Sequence, residues 1–411
     1  MNFDRNLEKY ADLSIKVGAN LQPGQSLVIL GAPIHAADFV HRLVDKAYDM
    51  GAKHVHVDWN DEALTLIKMN KASEEALKEY PIWRANMLED LAKEGAAFLS
   101  ISSSNPDLLK EVDPERVSLA NKTGAAALAP FRSYIQGGKV NWTIIAIPNE
   151  EWAAKIYPNV ADAKERINRL WETIFQVCRI TEDNPVEAWK QHILKLQERL
   201  QYLNTKKYKS LHYTAPGTDL TLDLVEGHIW TGGTLSSEKG ITFVPNIPTE
   251  EVFTMPHKDG VNGTVRSTKP LNYSGNLIEN FSLTFKDGKI VHFEAEKGEE
   301  TLKKLIETDE GSHRLGEVAL VPHHSPISLS NLIFFNTLFD ENASCHLAIG
   351  SAYPFTIVGG TTMSKEQLQE HGANSSLTHV DFMMGSDELT IDGISQNGDV
   401  EPLMRKGNWA I

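Results

Sequence analysis

Apolar strands alternate with amphipathic helices through the first half of this chain, and this pattern restricts the fold more than any other feature of the sequence. Helical patterns separate four short apolar runs that we predict to be strands: 26–30, 53–58, 97–102 and 142–147. Strands that alternate with helices pack as a parallel sheet covered by helices. We therefore predict an α/β N-terminal domain, with helices dominating its last part, 161–203.

The pattern changes after the polar and basic segment 204–210. Residues 211–295 have the turns and short apolar runs of β-structure, and Asp287-Gly288 between two such runs is typical of a hairpin. Further elements are predicted as a helix at 298–308, a strand at 317–321, a helix near 329–339 and a helix that Ser364 opens with a capping box. We therefore predict an α+β C-terminal domain at 206–411, after an N-terminal domain at 1–205.

The negative charge of the chain is concentrated in its second half. The net charge is −15 over 411 residues, yet 1–209 hold 27 Lys and Arg against 28 Asp and Glu. An acidic half of this kind is unsuited to nucleic acid, whose phosphates need basic partners. It attracts metal cations and protonated amines, although acidity can also serve solubility alone.

The cysteine count and the N-terminal residues indicate the cellular compartment in which the protein is expected to work. Cys178 and Cys345 are the only cysteines, which excludes a disulfide scaffold, a zinc knuckle and an iron–sulfur cluster and suits a reducing environment. The start is charged from Asp4 on, unlike a signal peptide, and no apolar run approaches the ~20 residues that cross a bilayer. We expect a cytoplasmic protein with no membrane partner.

His379-Val380-Asp381 is the most suggestive short motif of the acidic half. It lies in 378–384, which has the composition of a strand. Side chains at i and i+2 of a strand project from one face, about 7 Å apart at the backbone. The imidazole and the carboxylate can therefore reach one ion or two adjacent ions. The alternative is an ordinary exposed polar face.

A similar pattern occurs in the first half, at His54-Val55-His56-Val57-Asp58. It alternates as a strand of metal ligands would. The alternative is a structural strand whose polar face meets a helix or an interface, with Val55 and Val57 in the core. No further cluster of carboxylates and histidines lies nearby in the sequence, so we favour the structural interpretation.

Other polar residues in the second half are candidates with open alternatives. Glu250 and Glu251 are adjacent, and because neighbouring residues on a strand face opposite ways, at most one serves a site. Glu317 begins an apolar strand, where a carboxylate needs a partner or a metal. His346 lies in an apolar segment, where a histidine is usually satisfied by backbone groups. The sequence contains no HExxH, GxSxG, Walker or GxGxxG motif that would indicate another chemistry.

Four segments together resemble the thermophilic (M29) metallo-aminopeptidase family, and the similarity extends over essentially the whole chain. The segments are 246–254 (NIPTEEVFT), 314–322 (RLGEVALVP), 338–346 (LFDENASCH) and 379–386 (HVDFMMGS). The resemblance implies a homodimer with an N-terminal α/β domain. It also implies a C-terminal domain that carries two divalent metal ions and acts on peptides with a free N-terminus.

The resemblance also implies a set of site residues. The metal ligands would be Glu251 (or Glu250), Glu317, His346, His379 and Asp381, and the family's tyrosine matches Tyr353. Oxygen and nitrogen ligands without cysteine suit Zn, Co or Mn, with Mg as a further candidate. Which carboxylate bridges the ions is not fixed by the resemblance.

A mechanism follows as a hypothesis. A hydroxide between two ions would attack the first peptide carbonyl and release the N-terminal amino acid, while one ion binds the free α-amine. Glu317 or a neighbouring carboxylate would carry the proton, and Tyr353 would hydrogen-bond a ligand or the developing oxyanion. Asp340 and Glu341 are expected to orient one of the two site histidines, His346 or His379.

Overall fold

A computed structural model describes most of the chain, namely residues 3–103, 105–273 and 276–411. It divides into two compact units, of which the first comprises Met1–Gln191 with Thr234–Pro248 and the second His192–Gly233 with Thr249–Ile411. The predicted boundary near 205 lies at the end of the long helix Pro185–Lys206. The two units instead divide within this helix, between Gln191 and His192.

The helices of the described residues are numbered along the chain. They are α1 (Phe3–Leu13), α2 (Ala37–Asp49), α3 (Glu62–Lys71), α4 (Glu74–Leu77), α5 (Ile82–Lys93), α6 (Pro114–Gln136), α7 (Glu150–Ile156), α8 (Ala163–Val177), α9 (Pro185–Lys206), α10 (Glu299–Ile306), α11 (Pro326–Leu329), α12 (Thr337–Asp340) and α13 (Lys365–Glu370). None of these described helices is both long enough and apolar enough to cross a membrane.

The strands are numbered in the same way. They are β1 (Leu27–Pro33), β2 (Val55–Asn60), β3 (Ala97–Ser102), β4 (Trp142–Ala146), β5 (Ser210–Ala215), β6 (Thr218–Leu224), β7 (Leu235–Ser236), β8 (Thr242–Phe243), β9 (Val252–Thr254), β10 (Pro256–Arg266), β11 (Leu271–Tyr273), β12 (Asn276–Lys286), β13 (Lys289–Lys297), β14 (Leu315–Leu320), β15 (His346–Gly350), β16 (His379–Met383), β17 (Thr390–Ile394), β18 (Val400–Arg405) and β19 (Asn408–Trp409).

The first unit is built on a parallel sheet in the order β2-β1-β3-β4. Leu27, Val28 and Ile29 of the inner strand β1 are fully buried, as expected for a strand with helices on both faces. The amphipathic helices α2 and α8 each bury one apolar stripe. The predicted α/β architecture of the N-terminal domain is confirmed.

Residues 234–248 return to this first unit after the chain has left it. The N–H of Ile144 on β4 donates to the carbonyl of Pro245 at 2.8 Å, and Val244 donates to Gly18 at 3.0 Å. A parallel bridge joins Ile144 to Asn246. These backbone contacts explain why a single boundary near 205 does not describe the division of the chain.

Antiparallel sheets form most of the second unit. The larger has the order β11-β12-β10-β6-β5-β17-β18-β19, with β13 paired to β12 through the predicted hairpin. The smaller has the order β16-β15-β14-β9. The inner strands β14 and β15 are buried along their whole length, so polar side chains on them need partners.

The segment near 329–339 was predicted as one helix and folds differently. It forms the short helices α11 and α12, with a loop between them. Asp340 accepts hydrogen bonds from the N–H groups of Phe334 at 2.7 Å and Asn336 at 3.0 Å, and Phe335 has a φ of 53°. The carboxylate thus holds backbone groups that a continuous helix would bond to its own carbonyls.

Candidate metal centre

The smaller sheet of the second unit brings the predicted site residues onto one face. In its register Ala348 of β15 lies opposite Glu317 of β14 on one side and opposite Asp381 of β16 on the other. Opposed residues of antiparallel strands share a face, and so do residues two apart on one strand. His346 and His379 therefore join this face, and the small side chain of Ala348 leaves space between the two carboxylates.

The same register distinguishes the two adjacent glutamates. Phe253 of β9 lies opposite Ala319, which shares its face with Glu317, and Glu251 lies two residues before Phe253. Glu251 Oε2 lies 3.2 Å from His346 Nε2, so the structure brings Glu251 to the cluster. Glu250 faces another way, with Oε2 3.7 Å from His192 Nε2.

The side chains form two groups of three that have Glu317 in common. Glu317 Oε1 lies 3.5 Å from His346 Nε2, and Glu317 Oε2 lies 3.5 Å from His379 Nε2. Asp381 Oδ1 lies 3.4 Å from the same His379 nitrogen. Within each group, Glu251–Glu317–His346 and Glu317–His379–Asp381, the candidate ligand atoms lie within 4.8 Å of one another.

Backbone carbonyls orient both imidazole rings. His346 Nδ1 lies 3.1 Å from the carbonyl oxygen of Ser344, and His379 Nδ1 lies 2.7 Å from that of Ser351. A protonated Nδ1 that donates to a carbonyl leaves Nε2 as the lone-pair ligand. The expectation that Asp340 or Glu341 orients these rings therefore gives way to two main-chain contacts, which a sequence pattern does not reveal.

The cluster carries more negative charge than its histidines neutralise. Burial raises the pKa of Glu317 to about 7, and the neighbouring Asp381 and Glu251 carboxylates add to this effect against the histidines. Burial disfavours the charged form of His379, but Asp381 and Glu317 outweigh it and raise its pKa to about 9. Without a metal, the site thus compensates its carboxylates by retaining protons, which a cation would replace.

The donor atoms fit a divalent cation. Glu251 Oε2 and Asp381 Oδ1 are buried and lie near an imidazole nitrogen, at 3.2 and 3.4 Å, without a well-formed hydrogen bond from any described residue. A cation bound between these oxygens and nitrogens would satisfy the carboxylates. Carboxylate oxygens and imidazole nitrogens are ligands of catalytic Zn, Co and Mn sites. The thiol of Cys345 is directed elsewhere and contacts the backbone of Val321.

One further acid, Glu341, and a tyrosine, Tyr353, lie beside the cluster. Burial raises the pKa of Glu341 well above its ordinary value, and the charges of Glu251 and Asp381 add to this. The ring of Tyr353 lies 4.6 Å from that of His379, centroid to centroid. Burial and the site carboxylates raise the pKa of Tyr353, so its hydroxyl stays protonated and can donate.

Asn342 is a site residue that the sequence interpretation did not assign. It is fully buried, and its Oδ1 accepts the N–H of Glu250 at 2.8 Å. It therefore fixes the segment that delivers Glu251. Its position inside the motif at 338–346 was the available signal, but the asparagine itself has no metal-ligand pattern.

The first-half motif at 54–58 holds no comparable cluster. Asp58 forms an ion pair with Arg84, and His56 is exposed on β2. The groups of three potential metal ligands found among the described residues do not include this strand. Val55 and Val57 are partly exposed, so they contribute less to the core than expected.

Comparisons with known proteins agree with this geometry. Residues 3–409 match a family described as thermophilic metalloprotease (M29). The chain is 57% identical to aminopeptidase 2 of Geobacillus stearothermophilus, covering 100% of this chain and 98% of that protein. It is 53% identical to aminopeptidase AmpS of Bacillus subtilis, with 100% of both covered. The solved structure of wild-type AmpT from Thermus thermophilus superposes with a TM-score of 0.93 at 44% identity, again over 100% of both chains.

Proposed function

The chain belongs to the thermophilic metalloproteases (M29) and is a metallo-aminopeptidase, and we propose that it releases N-terminal residues from peptides at a centre of two divalent ions. The observation that carries the proposal is the sharing of Glu317 by two groups of candidate ligands. One carboxylate oxygen faces each histidine, and this arrangement supports a carboxylate that bridges two ions.

The two groups divide the ligands between the ions. Glu251, His346 and one oxygen of Glu317 would hold the first ion, and His379, Asp381 and the other oxygen would hold the second. Zn, Co or Mn suits these donors, and Mg is a further candidate. When bound, such ions supply a water of lowered pKa and polarise the scissile carbonyl.

We infer that a carboxyl that does not bind a metal ion transfers the proton. Glu317 was the first candidate, but both its oxygens face imidazole nitrogens. Glu341 lies half-buried beside the cluster, lines the adjoining pocket and belongs to neither group of ligands. We therefore assign the proton shuttle to Glu341 and hydrogen-bond donation towards the oxyanion to Tyr353.

The acidic surroundings of the site support the selection of a free N-terminus. The carboxylates of Glu341 and Asp381 line the same pocket and attract a protonated α-amine as it enters. An internal residue, or a blocked N-terminus, offers no amine to this part of the pocket. N-acetylated peptides should therefore not be hydrolysed.

Removal of metal tests the proposed function. Dialysis against a chelator should abolish hydrolysis of leucyl-p-nitroanilide, and added Co or Zn should restore it. The protein's own side chains cannot replace the chemistry that the bound ions supply. N-acetyl-leucyl-p-nitroanilide serves as the blocked control and should remain intact throughout. Full activity in protein that elemental analysis shows to be free of metal would contradict the proposal.

The number of ions is tested at the shared carboxylate. Glu317→Gln should weaken both ions, by at least about 10–100-fold in affinity, whereas Glu251→Gln should weaken one and leave the other in place. Metal content per chain, measured by mass spectrometry after gel filtration, should be near two, near zero and near one for the wild type and the two variants. Two ions retained by Glu317→Gln would exclude a bridging role.

We propose further that the enzyme works as a cytoplasmic homodimer. The family resemblance supports the dimer. Cys178 and Cys345 are buried and form no disulfide, which supports a reducing compartment. Light scattering should give twice the chain mass of 45.8 kDa, and a monomeric mass at micromolar concentration would exclude the dimer.

A further inference from the structure

A pocket of about 250 Å³ opens beside the metal centre within the second unit. Its walls are the segment 269–273, the loop and short helix at 333–341, and strand β16 with His379 and Asp381. The pocket is smaller than the ~300–1,000 Å³ typical of sites for drug-sized ligands. It therefore suits a small substrate whose reacting end lies at the metal ligands.

Lys269 supplies a positive charge in this pocket. Thr268, the residue before it, donates its N–H to the carbonyl of Met383 at 2.9 Å and its hydroxyl to Gly385 at 2.8 Å. These bonds attach Lys269 to the end of β16, two residues beyond Asp381. On an extended strand two residues span about 7 Å.

The ammonium of Lys269 has no hydrogen bond or ion pair to any described residue. Asp340 is the acid whose charge acts on it, since burial lowers the pKa of Lys269 and Asp340 partly restores it. Asp340 is already engaged, because it accepts hydrogen bonds from the N–H groups of Phe334 and Asn336. The half-buried Lys269 lines the same pocket as the metal ligands His379 and Asp381, so its ammonium can meet an anion that enters this pocket.

We propose that Lys269 binds the C-terminal carboxylate of short peptides and makes the enzyme selective for dipeptides and tripeptides. This inference rests on the proposed aminopeptidase function. A short peptide carries an α-ammonium at one end and a carboxylate at the other. The pocket matches this order of charges, with Glu341 and Asp381 on the metal side and Lys269 beside the end of β16.

The length of the substrate follows from the same geometry. Beyond the scissile carbonyl, an extended peptide advances about 3.3–3.6 Å per residue. Strand rise separates Asp381 from Met383, the residue that holds Thr268, by about 7 Å. One or two residues of an extended peptide span a similar distance, which brings the C-terminal carboxylate towards the Lys269 side of the pocket. In a longer peptide the amide that reaches Lys269 carries no charge, and the gain is lost.

The test compares peptides that differ only in the charge of the C-terminus. Leucyl-glycine and leucyl-glycyl-glycine are offered to the metal-loaded enzyme as free acids and as C-terminal amides, with leucine release measured by chromatography. We expect kcat/KM for the acids to exceed that for the amides by about ten- to a hundredfold. For a pentapeptide with leucine at its N-terminus, the acid and the amide should agree within about twofold.

Variants locate the effect. Lys269→Met should bring the acid-to-amide ratio of the dipeptide close to one, and Lys269→Arg should retain part of it. Lys297→Met is the matched control, because Lys297 is exposed and pairs with Glu279 at 3.1 Å; its ratio should equal that of the wild type. Circular dichroism and thermal unfolding confirm that each variant is folded.

The outcomes distinguish a failure of the Lys269 inference from a failure of the proposed aminopeptidase function. Equal rates for acids and amides in the wild type, or an unchanged ratio in Lys269→Met, would overturn the assignment of Lys269 while leaving the aminopeptidase intact. Absence of leucine release from all peptides, including the amides, would contradict the proposed function and the inference with it. The wild-type comparison decides the matter even when a variant does not fold.

Discussion

The tripeptide His-Val-Asp occurs twice in this chain, on β2 as His56-Val57-Asp58 and on β16 as His379-Val380-Asp381. Both strands lie at an edge of their sheets. Among the described residues only the second copy belongs to a group of potential metal ligands. The identity of the three residues therefore does not decide whether they form a site.

The strands beside the two copies account for the difference. His56 lies opposite Val28 of β1, whose apolar side chain offers no ligand. His379 and Asp381 lie opposite Gly350 and Ala348 of β15. These small residues leave room above the strand, and the next strand, β14, contributes Glu317. A ligand pair becomes a site when its neighbours provide both space and further ligands.

The largest expected contrast is between the two aspartates. Asp381→Asn should reduce kcat/KM for leucyl-p-nitroanilide by about a thousandfold or more, because an amide replaces a charged ligand in a buried site. Asp58→Asn removes the same charge from the other copy and should change kcat/KM by less than about twofold. A large loss in Asp58→Asn would show that the two strands do not differ as described.

A smaller contrast concerns the glycines beside the two strands. Gly350 has a φ of +113°, and a Cβ there would lie 2.2 Å from the carbonyl oxygen of Thr378. Gly350→Ala should therefore destabilise the protein by about 2–4 kcal/mol. Gly31 of β1 has a φ of +67°, and the atom nearest to an added Cβ would lie at 3.2 Å. Gly31→Ala should therefore lower the unfolding free energy by about 1–2 kcal/mol. Urea denaturation of both variants measures which substitution destabilises the protein more. A larger loss in Gly31→Ala would contradict the tighter packing at β16.

The smallest expected effect is at the ion pair of the first copy. Arg84→Met removes the partner of Asp58, and since such partly exposed pairs contribute about 0.2–1 kcal/mol, the unfolding free energy should change by no more than that. Activity should stay at the wild-type level. A loss of activity in Arg84→Met would assign β2 a role that its surroundings do not indicate.

The sequence predicted the elements of the site better than their relative positions. The strand at 378–384, the apolar strand after Glu317 and the order of helices and strands in the first unit follow from local patterns of side chains. The choice between Glu250 and Glu251 does not, because it depends on the register in which β9 pairs with β14. Register is set by contacts between distant segments, which periodicity does not encode.

Two other features escaped prediction for related reasons. The helix near 329–339 was expected from its local composition, but Asp340 captures the backbone N–H groups of the loop before α12. The segment 234–248 was assigned to the second domain by its place in the chain, yet it bonds to β4 and to Gly18. In the first case local hydrogen bonds from a side chain to the backbone outweigh the helical preference, and in the second long-range backbone hydrogen bonds decide the position of the segment.

The return of 234–248 to the first unit has a consequence for how the protein is made. During synthesis β4 emerges long before Asn246, so the edge of β4 at Ile144 stays without this partner while the ribosome adds the intervening residues. An open strand edge is a site of unwanted pairing, and domains generally fold as units in the order of their synthesis. The first unit is therefore completed only after part of the second has been translated, and a fragment that stops near residue 205 would lack the segment that covers its sheet.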